Sequence, residues 1–390
     1  MEQYDPTPGI LNVLFTVEGA HAFFHDSHDG SEAIGPVLER LTAFIGSYRP
    51  VAINLCHFQT HTLAAQAYAF IFRTYRPKHR DLFPVGSGIS TKGHRFIETC
   101  HEQGVLVDLK HMGLSARREF YASYPNVPLL ASHVGLTGLR SNGPLPIIAR
   151  KTYPGKAERL IYRKPKGHLA NTCFNPISIN FYDEDIEAIL RSSGMIGLSL
   201  DQRILGASQP MFILDHVKRK EREFVSIADC DLFTGGWGEY AQLNNEDEVL
   251  TPDELGVEDD DIEIDDEGQR DRISKLQKGR RLDNMETHPR FLANQVIHIA
   301  RVARAAGLPW KEHIAIGSDM DGLINAVDHC MTVERYEDLQ EGLRRVLMTD
   351  EAREAIGEPY DTDELIEKIM HGNALAFLKK NAFGEWKNPT

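Results

Sequence analysis

Short apolar runs rich in β-branched residues alternate along this chain with longer stretches whose apolar positions recur every three or four residues. The runs are ILNVLFTV (10–17), VAINLC (51–56), VLVDL (105–109), VPLLAS (127–132), MIGLSL (195–200) and IAIGS (314–318). Continuous hydrophobicity of this kind suits strands covered on both faces. The stretches between them predict helices over Ser31–Ser47, Lys92–Gln103, Asp183–Ser192 and Pro289–Ala306. In the last, Phe291, Val296, Ile299, Val302 and Ala303 line one helical face. Strand–helix alternation predicts parallel β/α units and an α/β fold of the TIM-barrel kind. A chain of 390 residues can be filled by one such domain.

Two segments break the rhythm and are expected to be insertions, 141–177 and 202–288. The first is rich in Pro, Gly, Lys and Arg. The second contains an acidic stretch, 244–268, expected to be a solvated flexible loop. That stretch holds 13 acidic residues and no Lys or Arg, so it accounts for nearly all of the net charge of −14. The remainder is close to neutral, which gives no support to nucleic-acid binding. Asp261, Glu263 and Asp265 alternate as in a calcium loop, but Asp266 stands where such a loop requires glycine. No apolar run approaches the roughly 18 residues of a membrane helix. Met1–Gly9 shows neither a basic nor an apolar leader pattern, so the expected location is cytoplasmic. Five cysteines, widely spaced, outline neither a disulfide framework nor a Cys-x-x-Cys zinc site.

The chemistry lies where the runs end. In a β/α barrel, the loops after the strands build the active site. The six runs lead into Glu18, His57, His111 (after one lysine), His133, Asp201 and Asp319, with Asp321 two residues further on. Each is a residue type that binds metal or moves protons. A lone histidine at a strand end is more often structural, and a lone carboxylate more often a helix cap; Asp201 fits that description. As a set, convergent imidazoles and carboxylates are the ligands of a hydrolytic zinc site with an open position for water. Zinc lowers the pKa of bound water to about 7, which makes hydroxide available at neutral pH.

The segments FTVEGAHAF, INLCHFQTH, GISTKGHRFIETCHEQGVLVDLKHMG, VPLLASHVG, DEDIEAILRSSGMIGLSL, HIAIGSDMDG and IEKIMHGNALAFL resemble, in order and style, the membrane (renal) dipeptidase family. These are zinc peptidases of the amidohydrolase-like barrel superfamily. The likeness runs from about residue 10 to residue 380. V-E-G-x-H, V-D-L-x-H and G-S-D-x-D-G are specific only in combination. The resemblance implies a barrel of the metallo-dependent hydrolase type that cleaves a dipeptide or related small amide with a metal-bound hydroxide, using one or two Zn2+ ions. It implies that Glu18 bridges metals, that His111 and His133 are ligands, and that His57 faces the substrate and stabilises the oxyanion. Asp319 would shuttle the proton, Asp321 would orient its loop, and the chain would form a homodimer.

Two departures qualify the likeness. The family opens with a strand bearing His-x-Asp, which holds the second metal, followed by another strand before V-E-G. Here V-E-G begins at Val17, so a barrel incomplete at its N-terminus is expected, with two strands not found. DCDLF (229–233) is faintly similar to the lost motif but has no histidine. The family also carries an arginine for the substrate carboxylate in a stretch that here reads PISINFYDED (176–185). Arg140 or Arg150 is the expected substitute, Arg140 being the candidate substrate-binding residue. Three readings stay open: a zinc dipeptidase-like hydrolase, a catalytically impaired barrel acting as a binding or scaffold subunit, and a hydrolase of the same superfamily acting on a non-peptide amide or ester.

Overall fold

The computed structural model describes residues 7, 12–25, 32–58, 60–69, 83–153, 157–207, 220–233, 267–320, 322 and 326–382, with the backbone alone for 148–153, 220, 222 and 267–286. Nine strands lie among them: β1 (Thr16–Val17), β2 (Ala52–Asn54), β3 (Leu106–Asp108), β4 (Leu130–Val134), β5 (Ile147–Tyr153), β6 (Ala157–Arg163), β7 (Met195–Leu198), β8 (Lys220–Val225) and β9 (Ile314–Ile316). The helices are α1 (Ile34–Tyr48), α2 (Thr91–Glu102), α3 (Leu114–Ser123), α4 (Asp183–Arg191), α5 (Ile227–Asp231), α6 (Glu267–Ala306), α7 (Tyr336–Leu347), α8 (Asp350–Ile356), α9 (Thr362–Glu367) and α10 (Asn373–Asn381).

All six apolar runs supply a strand to one parallel sheet, ordered β1-β2-β3-β4-β7-β9. Registers include Thr16↔Ala52, Ala52↔Leu106, Asp108↔Leu130, Leu130↔Met195 and Ile196↔Ile314. Each strand of this sheet lies beside the one before it in sequence. That is the winding of a β/α barrel wall, in contrast to a doubly wound sheet, whose order reverses. Helices fall between successive strands, and the interface is apolar: Leu41, Ile53, Phe96, Val107, Ile196, Val296 and Leu343 belong to one buried cluster. The fold is therefore α/β, as the alternation predicts. Among the described residues, no helix is long and apolar enough to cross a membrane.

Some boundaries differ from the sequence expectation. Among the described residues of the first run, strand forms at Thr16–Val17, and Val13 and Phe15 are 65% and 55% exposed. The helix expected to begin at Pro289 starts at Glu267 and carries Pro289 inside it. The acidic stretch lies outside the described residues up to position 266, and Glu267 and Gly268 open α6.

Strands β5, β6 and β8 come from the two segments that interrupt the rhythm and form a second, antiparallel sheet. Polar bonds hold this sheet together and tie it to loops that flank the first. Glu223 on β8 accepts from the Tyr162 hydroxyl (2.6 Å), the Ser178 N–H (2.8 Å) and the Ser178 hydroxyl (2.6 Å). Beside it, the Arg203 guanidinium donates twice to Glu221, at 3.1 and 3.0 Å. A second buried pair, Arg117 on α3 with Asp185 on α4, is two-pronged (3.1 and 3.0 Å), and Arg117 also donates to the carbonyls of Met112 and Ser178. Removing one member of such a pair leaves the other charged and unpaired, so it holds α3 firmly.

Burial pushes the Glu223 carboxyl up to about 7, against the hydrogen bonds from Ser178 and Tyr162 that favour ionisation. In an unfolded chain a glutamate titrates near 4.3. Between these values the folded state holds a proton that the unfolded state has lost. The stability contributed is fully present below about pH 4.3 and is lost as pH rises through about 7. Glu223→Gln keeps the neutral form at every pH. Its stability relative to wild type is expected to increase from pH 5 to pH 8, by up to a few kcal/mol, the scale of a shift of two to three units. Denaturant midpoints across that range check this, and a pH-independent difference would contradict it.

Candidate metal centre

The site assembles at the C-terminal ends of the parallel strands. Glu18 directly follows β1 and is turned inward by the glycine after it. Gly19 has φ +106°, and a Cβ there would stand 2.3 Å from the His21 ring and 3.1 Å from the Cβ of His57. Only glycine accommodates both the dihedral and the close approach. His111 closes a turn after β3 in which the Met112 N–H donates to the Leu109 carbonyl (3.2 Å). It takes φ +69° at the third position of that turn, where glycine or asparagine is usual. His133 lies on β4 where the register with β7 shifts between Ala131 and Val134. Such an irregularity re-aims a side chain. Asp319 follows β9, also at positive φ, 56°. Left-handed backbone at a non-glycine residue costs on the order of 1–2 kcal/mol. Its occurrence at both His111 and Asp319 marks positions where side-chain placement outweighs backbone ease.

Neighbouring groups brace these loops. Asp108 Oδ1 accepts from the N–H of Lys110 and of Ser132, both at 3.0 Å, and so links the ends of β3 and β4. Asp229 accepts the N–H groups of Leu114 and Ser115 at 3.0 and 2.9 Å, capping the N-terminus of α3 immediately beyond His111. DCDLF therefore contributes a helix cap, not a lost metal motif. Asp201 behaves likewise: its Oδ1 accepts from Arg203 (2.8 Å) and Ile204 (3.1 Å).

Three side chains meet. Glu18 Oε1 lies 3.0 Å from His111 Nε2 and 3.1 Å from His133 Nε2. The three ligand atoms all lie within 4.8 Å of one another, the one grouping among the described residues suited to holding a metal ion. Ligands about 2.1 Å from a tetrahedral zinc sit roughly 3.4 Å apart, a few tenths of an ångström more than the spacing of Glu18 Oε1 from either histidine. Two imidazoles and a carboxylate oxygen are also the right chemistry for zinc. His133 Nδ1 is 2.7 Å from the Ser132 hydroxyl, which can fix its tautomer and leave Nε2 to the centre. His111 Nδ1 is buried and has no hydrogen-bond partner. Burial opposes ionisation of Glu18, but the hydrogen bonds and charges of His111 and His133 hold it well below the usual carboxylate range.

Two further groups border the triad. His57 Nε2 is 3.7 Å from Glu18 Oε1, and its ring stacks on Phe58 at 3.8 Å between centroids. Burial lowers its pKa, so the neutral imidazole is favoured, with Glu18 opposing. Asp319 Oδ2 is 4.0 Å from His133 Nε2. Burial raises its pKa, His133 counteracts, and Glu18 adds to the rise. Exposure is graded: the His111 side chain is 4% exposed, and that of Glu18 is 38%. The centre thus opens to solvent on the glutamate side.

The structure brings together Glu18, His57, His111, His133 and Asp319. Arg140 is engaged elsewhere: Glu184 and Glu187 on α4 hold its guanidinium at 3.3 and 2.9 Å, because the acidic first turns of that helix capture it. The side chain of Arg150, and Asp321, lie outside the described residues. Lys110, between Asp108 and His111, is not among the residues that the strand-end pattern singles out. It is 2% exposed, and burial pulls its ammonium down to about 8 while Asp319, Glu18, Asp108 and Asp201 favour the charge. A charged residue directly after a run buried on both faces was the available signal.

By sequence, no family model and no curated protein matches the chain. Among solved structures it is similar to dipeptidase AC, a metallopeptidase (16% identity, TM-score 0.44, covering 91% of this chain and 65% of that one). It is similar also to a metallopeptidase from Rhodobacter sphaeroides liganded with a phosphinate mimic of the dipeptide L-Ala-D-Ala (16%, 0.43, 90% and 62%). A third is the probable dipeptidase PvdM from Pseudomonas aeruginosa (19%, 0.44, 90% and 66%). The chain spans less than two thirds of the length of each.

The geometry predicts that His111→Ala and His133→Ala each abolish retention of a divalent cation, while His57→Ala, one step out from the triad, retains it. Elemental analysis after dialysis against zinc and then buffer reads this directly. Unchanged zinc in both ligand variants would contradict the assignment.

Proposed function

We propose that this protein is a divalent-cation-dependent hydrolase of small amides, with zinc as the cation and dipeptides as the substrate class. The observation that carries the reading is the meeting of Glu18 Oε1 with the Nε2 atoms of His111 and His133 at the mouth of the parallel sheet. Glu18, His111 and His133 would hold the cation. A cation held there supplies Lewis acidity toward water and toward a substrate carbonyl. The dipeptide substrate class rests on the sequence motifs that resemble the membrane dipeptidases, and the site itself supports the coarser class of hydrolase.

The chain's own residues divide the remaining work. Asp319 stands next to His133 with its pKa raised by burial, which makes it a stronger base than an ordinary aspartate. It takes a proton from the attacking water and returns it to the leaving amine. His57 is held between Glu18 and the face of Phe58. As a neutral N–H donor, it offers a hydrogen bond to the oxygen on which negative charge develops. The exposed side of Glu18 leaves an approach for a small substrate.

With zinc present, wild type is expected to release free amino acid from a chromogenic dipeptide. Asp319→Asn is expected to lower kcat by about 10²–10⁴-fold, with zinc content unchanged. Full activity in that variant would remove Asp319 from the mechanism. Turnover of a lactam or ester without any of a dipeptide would move the substrate class to the non-peptide alternative. A protein that holds no cation would fit the scaffold reading.

A further inference from the structure

Phe58 directly follows His57, and 40% of its surface is open to solvent. A single exposed aromatic is ordinary on a protein surface. The position of this one sets it apart. Its ring stacks on that of His57, with centroids 3.8 Å apart and planes 27° apart, and meets that of His111 edge to face at 5.8 Å. It therefore borders the centre beside two of its imidazoles. It is also held in place. The Phe58 carbonyl accepts from the side-chain amide of Gln66 at 3.1 Å, and Gln66 is buried. The segment around Gln66 is bonded to the turn that carries His111: the Ala67 N–H donates to the His111 carbonyl and the Gly113 N–H to the Ala65 carbonyl, both at 2.8 Å. The loop that presents Phe58 and the loop that presents His111 are thus fastened together, and the ring has a fixed place beside the centre.

Binding sites for small molecules combine a few placed polar groups with apolar and aromatic walls. The polar groups here are those of the centre itself, and Phe58 supplies an apolar wall next to them. We propose that Phe58 is a specificity-determining residue: its exposed ring surface receives an apolar side chain on the residue that carries the scissile carbonyl. The proposal rests on the reading of this centre as an amide hydrolase in which His57 donates to the carbonyl oxygen. The α-carbon of that residue lies about 1.5 Å from the carbonyl carbon. A side chain that starts there begins close to the His57 ring, and the surface adjoining that ring is Phe58. Packing an apolar side chain against it removes two apolar surfaces from water. A polar side chain in the same place loses hydration and finds no hydrogen-bond partner on a phenyl ring. In a dipeptide the carbonyl belongs to the first residue, so the preference falls there and not on the leaving residue.

The test compares hydrolysis of Leu-Ala and Asn-Ala by the full-length, zinc-loaded protein. Their first side chains have nearly the same shape and differ in polarity. Ala-Leu and Ala-Asn place the same pair on the leaving residue. Wild type is expected to favour Leu-Ala over Asn-Ala by at least about tenfold in kcat/KM, the scale of an apolar group meeting an apolar wall. The ratio between Ala-Leu and Ala-Asn should be smaller. Phe58→Ala is expected to remove most of the first ratio through a rise in KM for Leu-Ala, and Phe58→Leu, which keeps an apolar wall, should retain most of it. A ring that only steadies His57 would instead change kcat for both substrates alike and leave the ratio as it was, and that result would overturn the proposal. So would a wild-type ratio near unity, or a preference confined to the leaving residue. Because the ring also meets His111, zinc content and circular dichroism are measured on each variant. If Phe58→Ala loses zinc or fails to fold, Phe58→Gln, which keeps bulk but not apolarity, carries the comparison. Turnover of none of the four dipeptides by zinc-loaded wild type would overturn the dipeptidase reading and the proposal with it, whereas turnover without a first-residue preference would overturn the proposal alone.

Discussion

Two imidazole nitrogens reach one carboxylate oxygen across more than ninety residues of sequence, and the local structure around them is arranged to allow it. Glu18 Oε1 cannot lie near 3 Å from both His111 and His133 unless the ends of β1, β3 and β4 are level. The parallel registers Thr16↔Ala52 and Asp108↔Leu130 set that level. Asp108 then holds it by bonding the backbones of Lys110 and Ser132 together. Gly19, His111 and Asp319 take positive φ in the loops that carry these side chains. The apolar sheet supplies position, and the strained loops supply direction.

The second sheet connects to this constraint through α3. Asp229, at the end of the region that includes β8, caps the helix that follows His111. Arg117 anchors the same helix to Asp185 and to the carbonyls of Met112 and Ser178. Glu223 on β8 holds Ser178 from the other side. A chain of buried polar bonds thus runs from the antiparallel sheet to the turn that carries His111. Low-dielectric surroundings make such a chain stiff when every member is satisfied.

How much of this was legible depends on what each residue contrasts with. A histidine or carboxylate closing an apolar run stands out, so all five clustered residues were visible in the sequence, and the α/β winding followed from the same alternation. The second sheet was not legible. Its strands read KEREFV, AERLIYR and IIARKTY: charged residues crowd them, and although β5 and β6 adjoin, the third strand, β8, lies far along the chain from its partner β6. The apolar periodicity places a helix over Pro289–Ala306, whereas the helix begins earlier and passes through Pro289. Arg140 carries a guanidinium suited to bidentate pairing with a carboxylate, but its place in the sequence does not say which one. Which carboxylate a guanidinium meets depends on the fold, and here α4 supplied two. Lys110 was hidden by its position between two more conspicuous residues, Asp108 and His111.

The central claim is that Glu18, His111 and His133 share one divalent cation. Anomalous diffraction at the zinc absorption edge, from crystals grown with zinc, tests it most directly. The account predicts a peak about 2.0–2.2 Å from a Glu18 carboxylate oxygen and from Nε2 of both His111 and His133. A well-occupied peak elsewhere with this triad empty, or no peak at all, would contradict it.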